Sequence, residues 1–300
     1  MPTNYHVPVL LSQCIEGLNI NPEGIYVDVT FGGGGHSREI LNKLTTGRLI
    51  AFDQDADAHA NTINDERFTL VKQNFRFLRN SLKYLGAFPV DGILADLGVS
   101  SHQFDEGDRG FSIRFDGKLD LRMDIGKGKS AASLIESIDE YELINILRLY
   151  GELDNARRIA YLIIKAREEN PIETTYQLME AVKAVAPRGK ENKFFAKLFQ
   201  ALRIVVNDEI EALRELILQS NEVLKPNGRL VVLSYNSLED RLVKNYVKSG
   251  NFEGKLEKDF YGNILSPMSQ VTRKVVVPDD AEIELNSRAR SAKLRIAEKK

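Results

Sequence analysis

The chain has 300 residues, 43% of them hydrophobic and 28% charged, with a net charge of −2, which is the composition of a globular protein with a sizeable core in one large or two ordinary domains. No stretch approaches the roughly 18 apolar residues of a membrane span, and the N-terminus Met1-Pro2-Thr3-Asn4-Tyr5-His6 lacks the basic and apolar regions of a signal peptide, so a cytoplasmic protein with no membrane partner is expected. The single cysteine, Cys14, excludes an internal disulfide framework, and His6, His36, His59 and His102 show no ligand spacing, so no metal is expected.

After an N-terminal amphipathic stretch holding Cys14, the chain alternates strands and helices. Ile25–Thr30, Arg48–Asp53, Phe68–Val71 and Gly92–Asp96 read as strands, with helical segments near 36–45, 56–64 and 76–85. This is the unit of a parallel sheet covered on both faces. Residues 103–129, rich in Gly, Asp and Arg without a sustained period, read as a long functional loop. Residues 131–186 read as three helical segments. Leu134, Ile138, Tyr141, Leu143, Ile144 and Leu147 form the stripe of the first; the second ends before Pro171 and the third at Pro187. Asp208 to Lys225 reads as an amphipathic helix closed by Pro226-Asn227-Gly228, followed by strands over Arg229–Ser234 and Val271–Val277. Two basic segments, Ala186–Arg203 and Asn286–Lys300, read as a solvated helix face and a charged tail, either of which is able to give a local basic surface despite the net charge. The economical architecture is one α/β domain interrupted by a helical insertion.

The richest motif is Asp28-Val-Thr-Phe-Gly-Gly-Gly-Gly-His-Ser, between the first strand and the first helix that follows it. Consecutive glycines let the backbone approach a ligand, and the helix N-terminus behind them offers unpaired N–H groups. Asp53, at the end of the second strand, stands where a doubly wound fold holds the ribose hydroxyls of a nucleoside cofactor. A nicotinamide oxidoreductase is disfavoured: its glycines are spaced G-x-G-x-x-G for a pyrophosphate, which Asp28 would repel. Asp28 suits instead the ammonium group of S-adenosylmethionine.

Further blocks stand in order along the chain: Asp91-Gly-Ile-Leu-Ala-Asp-Leu-Gly-Val-Ser-Ser-His-Gln, Arg109-Gly-Phe-Ser, Asp116-Gly-Lys-Leu-Asp-Leu-Arg-Met-Asp, Phe199-Gln-Ala-Leu-Arg-Ile, Ser237-Leu-Glu-Asp-Arg and Arg288-Ala-Arg-Ser-Ala-Lys-Leu-Arg. With the glycine loop and the N-terminal His6-Val-Pro-Val-Leu-Leu, they resemble the signature blocks of the RsmH (MraW) family over nearly the whole chain. The resemblance implies a Rossmann-like class I methyltransferase domain, residues 1–103 and 193–300 with a basic C-terminal tail, carrying an inserted loop and helical domain at 104–192. It implies transfer of a methyl group from S-adenosylmethionine to the exocyclic 4-amino group of a cytosine in the decoding region of 16S rRNA, in the small ribosomal subunit. It places the cofactor on Gly34, Gly35, His36, Asp53, Phe75, Asp96 and Gln103, beside Asp28 from the residue reading.

Alignment and desolvation are the chemistry such a transfer needs most. Asp96 with the neighbouring backbone carbonyls, Ser234 and Asn236 are the candidate catalytic groups. Methylation at C5 would need a cysteine nucleophile, and Cys14 lies far from these motifs in the sequence. Phe104, Phe111, Phe115 and Tyr235 are candidates for stacking on an extruded base, and Arg109, Arg114, Arg122, Arg288 and Arg290 for phosphate contact. Where the family commonly reads Ser-Phe-His-Ser-Leu-Glu-Asp-Arg, this chain reads Ser234-Tyr-Asn-Ser-Leu-Glu-Asp-Arg, so an amide stands in place of an imidazole. Lys193-Phe-Phe-Ala stands near the family's usual His-Pro-Ala-Thr, and Lys118 replaces a common proline. Asn236 keeps open the alternative of an RNA-binding member of the same fold with altered catalysis. The sequence is compatible with an oligomer.

Overall fold

The computed structural model describes residues 8–300, so His6 and Val7 of the N-terminal block lie outside the described residues. The elements run α1 (Leu11–Leu18), β1 (Ile25–Asp28), α2 (Gly35–Lys43), β2 (Arg48–Phe52), β3 (Phe68–Val71), α3 (Leu78–Tyr84), β4 (Val90–Asp96) and α4 (Ser101–Asp105). They continue as α5 (Ala131–Ser137), α6 (Glu140–Leu149), α7 (Ala156–Glu169), α8 (Thr175–Val182), α9 (Glu191–Asn207) and α10 (Glu209–Val223). The chain ends with β5 (Leu224–Ser234), α11 (Ser237–Ser249), β6 (Met268–Gln270), α12 (Asp280–Leu285) and β7 (Lys293–Lys299). Two compact units result: the residues up to Gly98 with Ile210–Lys300, and Val99–Glu209.

The first unit is built on one seven-stranded sheet of order β3-β2-β1-β4-β5-β7-β6. The first five strands pair in parallel, and β7 runs antiparallel to β5 and β6. A parallel Rossmann-like sheet with one antiparallel strand, β7, inserted between β5 and the edge strand β6 is the class I methyltransferase arrangement. Both faces are covered because side chains alternate along each strand. Val27, Ile50, Ile93, Leu230 and Val232 pack with Leu82, Leu216 and Val243 on one face. Tyr26, Leu49, Leu94, Val231 and Leu233 pack with Leu18, Ile40 and Leu41 on the other. The four strand ends of interest are those of β1, β2, β4 and β5, which finish at Asp28, Phe52, Asp96 and Ser234.

Three expectations change here. The C-terminal basic segment is no tail, since Lys293–Lys299 forms the strand between β5 and β6 with Leu294, Ile296 and Ala297 buried. Arg295 and Lys293 turn back to Asp240 in the first turn of α11, at 2.7 and 3.2 Å. Residues 271–277 are not a regular strand; only Val276 bridges to Leu294. Strand β5 begins directly after α10, and Pro226-Asn227-Gly228 sits inside it, where the pairing to β4 jumps from Val90–Leu224 to Gly92–Arg229. The left-handed Asn227 (φ 64) accommodates that bulge.

The second unit, Val99–Glu209, differs in bounds from the expected 104–192. Its reason is α9, a 17-residue helix whose Phe194, Leu198, Phe199 and Leu202 are buried with Leu143, Leu147, Ile159, Ile163 and Leu178 in a single helical core. The expected first helical segment is two helices, because Asp139 caps α6 by accepting from the Glu142 N–H at 2.8 Å.

Candidate active site

The glycine loop joins β1 to α2 at the C-terminal edge of the sheet. Gly34 has φ 75 and is the residue before the first helical position of α2. A Cβ on Gly35 would stand 2.3 Å from the Pro8 ring, so the backbone there is packed to a distance only glycine permits. Asp28 braces the loop from below. It is 1% exposed, and its carboxylate accepts from Ser37 Oγ at 2.6 Å and from the Thr30 N–H at 3.1 Å. Burial pushes its pKa up, against those hydrogen bonds. The carboxylate expected to face an ammonium group is thus turned inward, onto the loop itself.

Asp53, one residue beyond β2, accepts from the Gly32 N–H at 2.8 Å through one oxygen and from the Asp55 N–H at 2.9 Å through the other. Burial raises its pKa to about 6. Phe75, after β3, is part-buried against the same core. At the end of β4 lies Asp96, its side chain a quarter exposed. Tyr235, just after β5, donates its hydroxyl to Asp96 Oδ1 at 2.8 Å. His36 presents Nδ1 to Asp96 Oδ2 at 3.8 Å, while its Nε2 meets the Val9 carbonyl at 3.2 Å. Burial raises the Asp96 pKa, and the His36 and Tyr235 contacts oppose the rise. Four strand ends and one helix N-terminus therefore bring a glycine cradle and two acids, Asp53 and Asp96, to one edge of one sheet.

The profile of the MraW methylase family matches residues 3–300. The chain belongs to that family. Ribosomal RNA small subunit methyltransferase H of Bacteroides thetaiotaomicron is 57% identical over 297 residues, covering 99% of this chain and 98% of its own. The protein of the same name from Parabacteroides distasonis is 57% identical over 297 residues, covering 98% of this chain and 97% of its own. An rRNA methylase structure from Streptococcus thermophilus aligns over 96% of this chain and 93% of that one, at 12% identity and a TM-score of 0.42.

A methylase of this fold draws on S-adenosylmethionine, and the residues present fit it. Each Asp53 oxygen uses one lone pair on a backbone N–H and keeps capacity for a ribose hydroxyl. The loop is open at Gly32, where a Cβ would meet nothing within 4 Å.

The remaining expected residues of the methylase fall in several places. Gln103 lies in the other compact unit, buried, with its Oε1 accepting from the Ser100 N–H at 3.0 Å in the capping box of α4. Ser234 is 2% exposed, and its hydroxyl reaches the Lys293 carbonyl at 3.4 Å in the sheet. Asn236 is the N-cap of α11, its Oδ1 accepting from the N–H groups of Leu238 and Glu239, both at 3.0 Å. Its pattern, Asn followed by an acid three residues on, was readable as a helix start. Tyr235, considered from sequence only for stacking, is the residue that engages Asp96.

Cys14 corrects the sequence picture. The fold carries it under the site, where its thiol is pushed well up by burial first and then by the charges of Asp96, Asp28 and Glu282. A buried, protonated thiol is no nucleophile.

Of the arginines, Arg109 donates to the carbonyls of Arg122 and Met123, and Arg122 forms a two-pronged pair with Asp120 at 2.7 and 2.8 Å. Both guanidinium groups thus hold the 103–129 loop together. Arg288 is part-buried, whereas Arg114 and Arg290 are exposed. Phe111 is in the helical core, Phe104 packs against it, and Phe115 is 52% exposed.

Proposed function

We propose that this methylase modifies the exocyclic 4-amino group of a cytosine in the decoding region of 16S rRNA, within the small ribosomal subunit. The observation that carries the reading is the Asp96 carboxylate, partly exposed at the end of β4 beside a cofactor cradle, in a chain whose only thiol is buried and protonated. That chemistry suits an amino nitrogen and not a ring carbon. The rRNA substrate is supported by the name of relatives more than half identical over the whole chain.

S-adenosylmethionine, when bound, supplies a methyl group activated by the sulfonium. Asp53 takes its ribose hydroxyls, the Gly34–His36 backbone lines it, and Phe75 gives apolar cover to the adenine. Asp96 accepts from the amino hydrogens of the cytosine, drawing the nitrogen lone pair out of the ring. Arg114 and Arg290 are the exposed cations placed to meet phosphate. Asn236 acts on the start of α11, so its amide in place of an imidazole bears on the helix and leaves Asp96 as the proton-handling group.

Nucleoside analysis of small subunits methylated by the purified protein tests this reading: 4-methylcytidine is expected, and 5-methylcytidine or a methylated purine would overturn it.

Asp53 adds a pH prediction. Only its carboxylate accepts from both ribose hydroxyls, and its pKa is about 6 in the free protein. The Kd for S-adenosylhomocysteine, measured by calorimetry, is expected to be flat above pH 7 and to rise toward tenfold per unit below about pH 6. Because the folded carboxyl holds its proton more tightly than the unfolded one, this residue makes the free protein less stable as pH rises from about 4 to about 6.

A further inference from the structure

Asp96 receives an unequal set of neighbours. The Thr30 hydroxyl accepts from its backbone N–H at 2.7 Å, fixing the strand end. Among the described residues, the hydrogen-bond donor reaching its carboxylate is the Tyr235 hydroxyl, at 2.8 Å. His36 stands farther off, with Nδ1 at 3.8 Å from the other oxygen. The Val9 carbonyl can only accept, so His36 Nε2 carries a hydrogen. At 3.8 Å its Nδ1 makes no hydrogen bond to Asp96 and acts on the acid through charge alone. The other titratable groups around the acid are Asp28 from β1 and Cys14 from α1, with Glu239 of α11 behind Tyr235. Asp28, when charged, disfavours a second carboxylate. One hydrogen-bond donor, Tyr235, with His36 farther off, therefore favours the ionised form of Asp96 at a site where burial and a nearby acid oppose it.

We propose that Tyr235 is a positioning residue that holds Asp96 as an oriented carboxylate and sets the pH range over which methyl transfer runs. The proposal rests on the reading that Asp96 serves the cytosine amino group. In the transfer, the amino nitrogen forms a bond to the methyl carbon as the carbon–sulfur bond breaks, leaving a neutral thioether. The nitrogen then gives one proton to an Asp96 oxygen, which must be unprotonated at the start. The Tyr235 hydroxyl occupies Oδ1, so Oδ2 is the oxygen left for the amino group. Burial first, and then the Asp96 charge, hold the phenol far above its usual pKa, so it stays a donor throughout the working range.

The test compares wild type, Tyr235→Phe and Asp96→Asn in labelled methyl transfer to small subunits between pH 5.5 and 9. Tyr235→Phe keeps the ring and removes only the donor. Its kcat at pH 8.5 is expected within about threefold of wild type, while the acid limb of its kcat profile moves up by about one pH unit. Its Kd for S-adenosylhomocysteine at pH 8.5 is expected unchanged. Superimposed acid limbs for wild type and Tyr235→Phe would overturn the role of Tyr235 while leaving Asp96 in place, provided Asp96→Asn loses activity. Wild-type kcat in Asp96→Asn would overturn the reading of Asp96 and this inference with it.

Discussion

Asp53→Ala is expected to weaken S-adenosylhomocysteine binding by roughly 100- to 20,000-fold, read by calorimetry at pH 8. Two hydrogen bonds from ribose hydroxyls to a carboxylate contribute about 1.5–3 kcal/mol each, and tenfold in Kd is about 1.4 kcal/mol. The substitution also leaves the Gly32 and Asp55 N–H groups without the acceptor that now holds them at 2.8 and 2.9 Å. Asp53→Asn separates the two contributions, because its single amide oxygen still accepts at one side; about tenfold to 100-fold is expected. A Kd within threefold of wild type for the alanine variant would remove Asp53 from the cofactor site.

The second large effect is on stability. Asp240 is 8% exposed and faces two cations of β7, Arg295 at 2.7 Å and Lys293 at 3.2 Å. Although burial alone would raise it, the Arg295 and Lys293 contacts hold its carboxyl below the usual range. Asp240→Ala leaves both cations facing a part-buried site with no counter-charge, which costs about 3 kcal/mol. At roughly 2–4 °C per kcal/mol for a chain of this size class, the melting midpoint is expected to fall by about 6–12 °C. Asp240→Asn should recover only a minor part, since the loss is of charge as well as hydrogen bonds. A midpoint within 1 °C of wild type would mean that the α11–β7 clamp contributes nothing. The depressed pKa also predicts that the clamp stabilises at neutral pH and fades as pH falls through the acid range.

Much of this fold is legible because its parallel strands are buried on both faces. Ile25-Tyr-Val, Arg48–Phe52 and Phe68–Val71 are short apolar runs punctuated by turn residues, and the structure places strands there. The glycine loop and Asp53 are legible for a related reason: close backbone approach and a strand-end acid leave marks in local sequence. Strand β7 escaped because the face opposite Leu294 and Ile296 carries Lys293, Arg295 and Lys299, and these charges mask the alternation. The split at Asp139 escaped because an apolar stripe continues across a cap that only a hydrogen bond reveals. What the sequence concealed in the site is long-range. Tyr235 and Asp96 are 139 positions apart, and only the pairing of β4 with β5 makes them neighbours. Asp28, Arg109 and Arg122 are taken up by nearer partners instead: Ser37 turns Asp28 inward, and the two arginines are engaged inside their own loop.

The most direct measurement is the incorporation of labelled methyl from S-adenosylmethionine into small ribosomal subunits prepared from cells in which the gene for this protein is deleted. The predicted result approaches one methyl per subunit, located in the decoding region of 16S rRNA, with no incorporation into subunits from undeleted cells. Equal incorporation into both preparations, or none into either with S-adenosylhomocysteine binding intact, would contradict it.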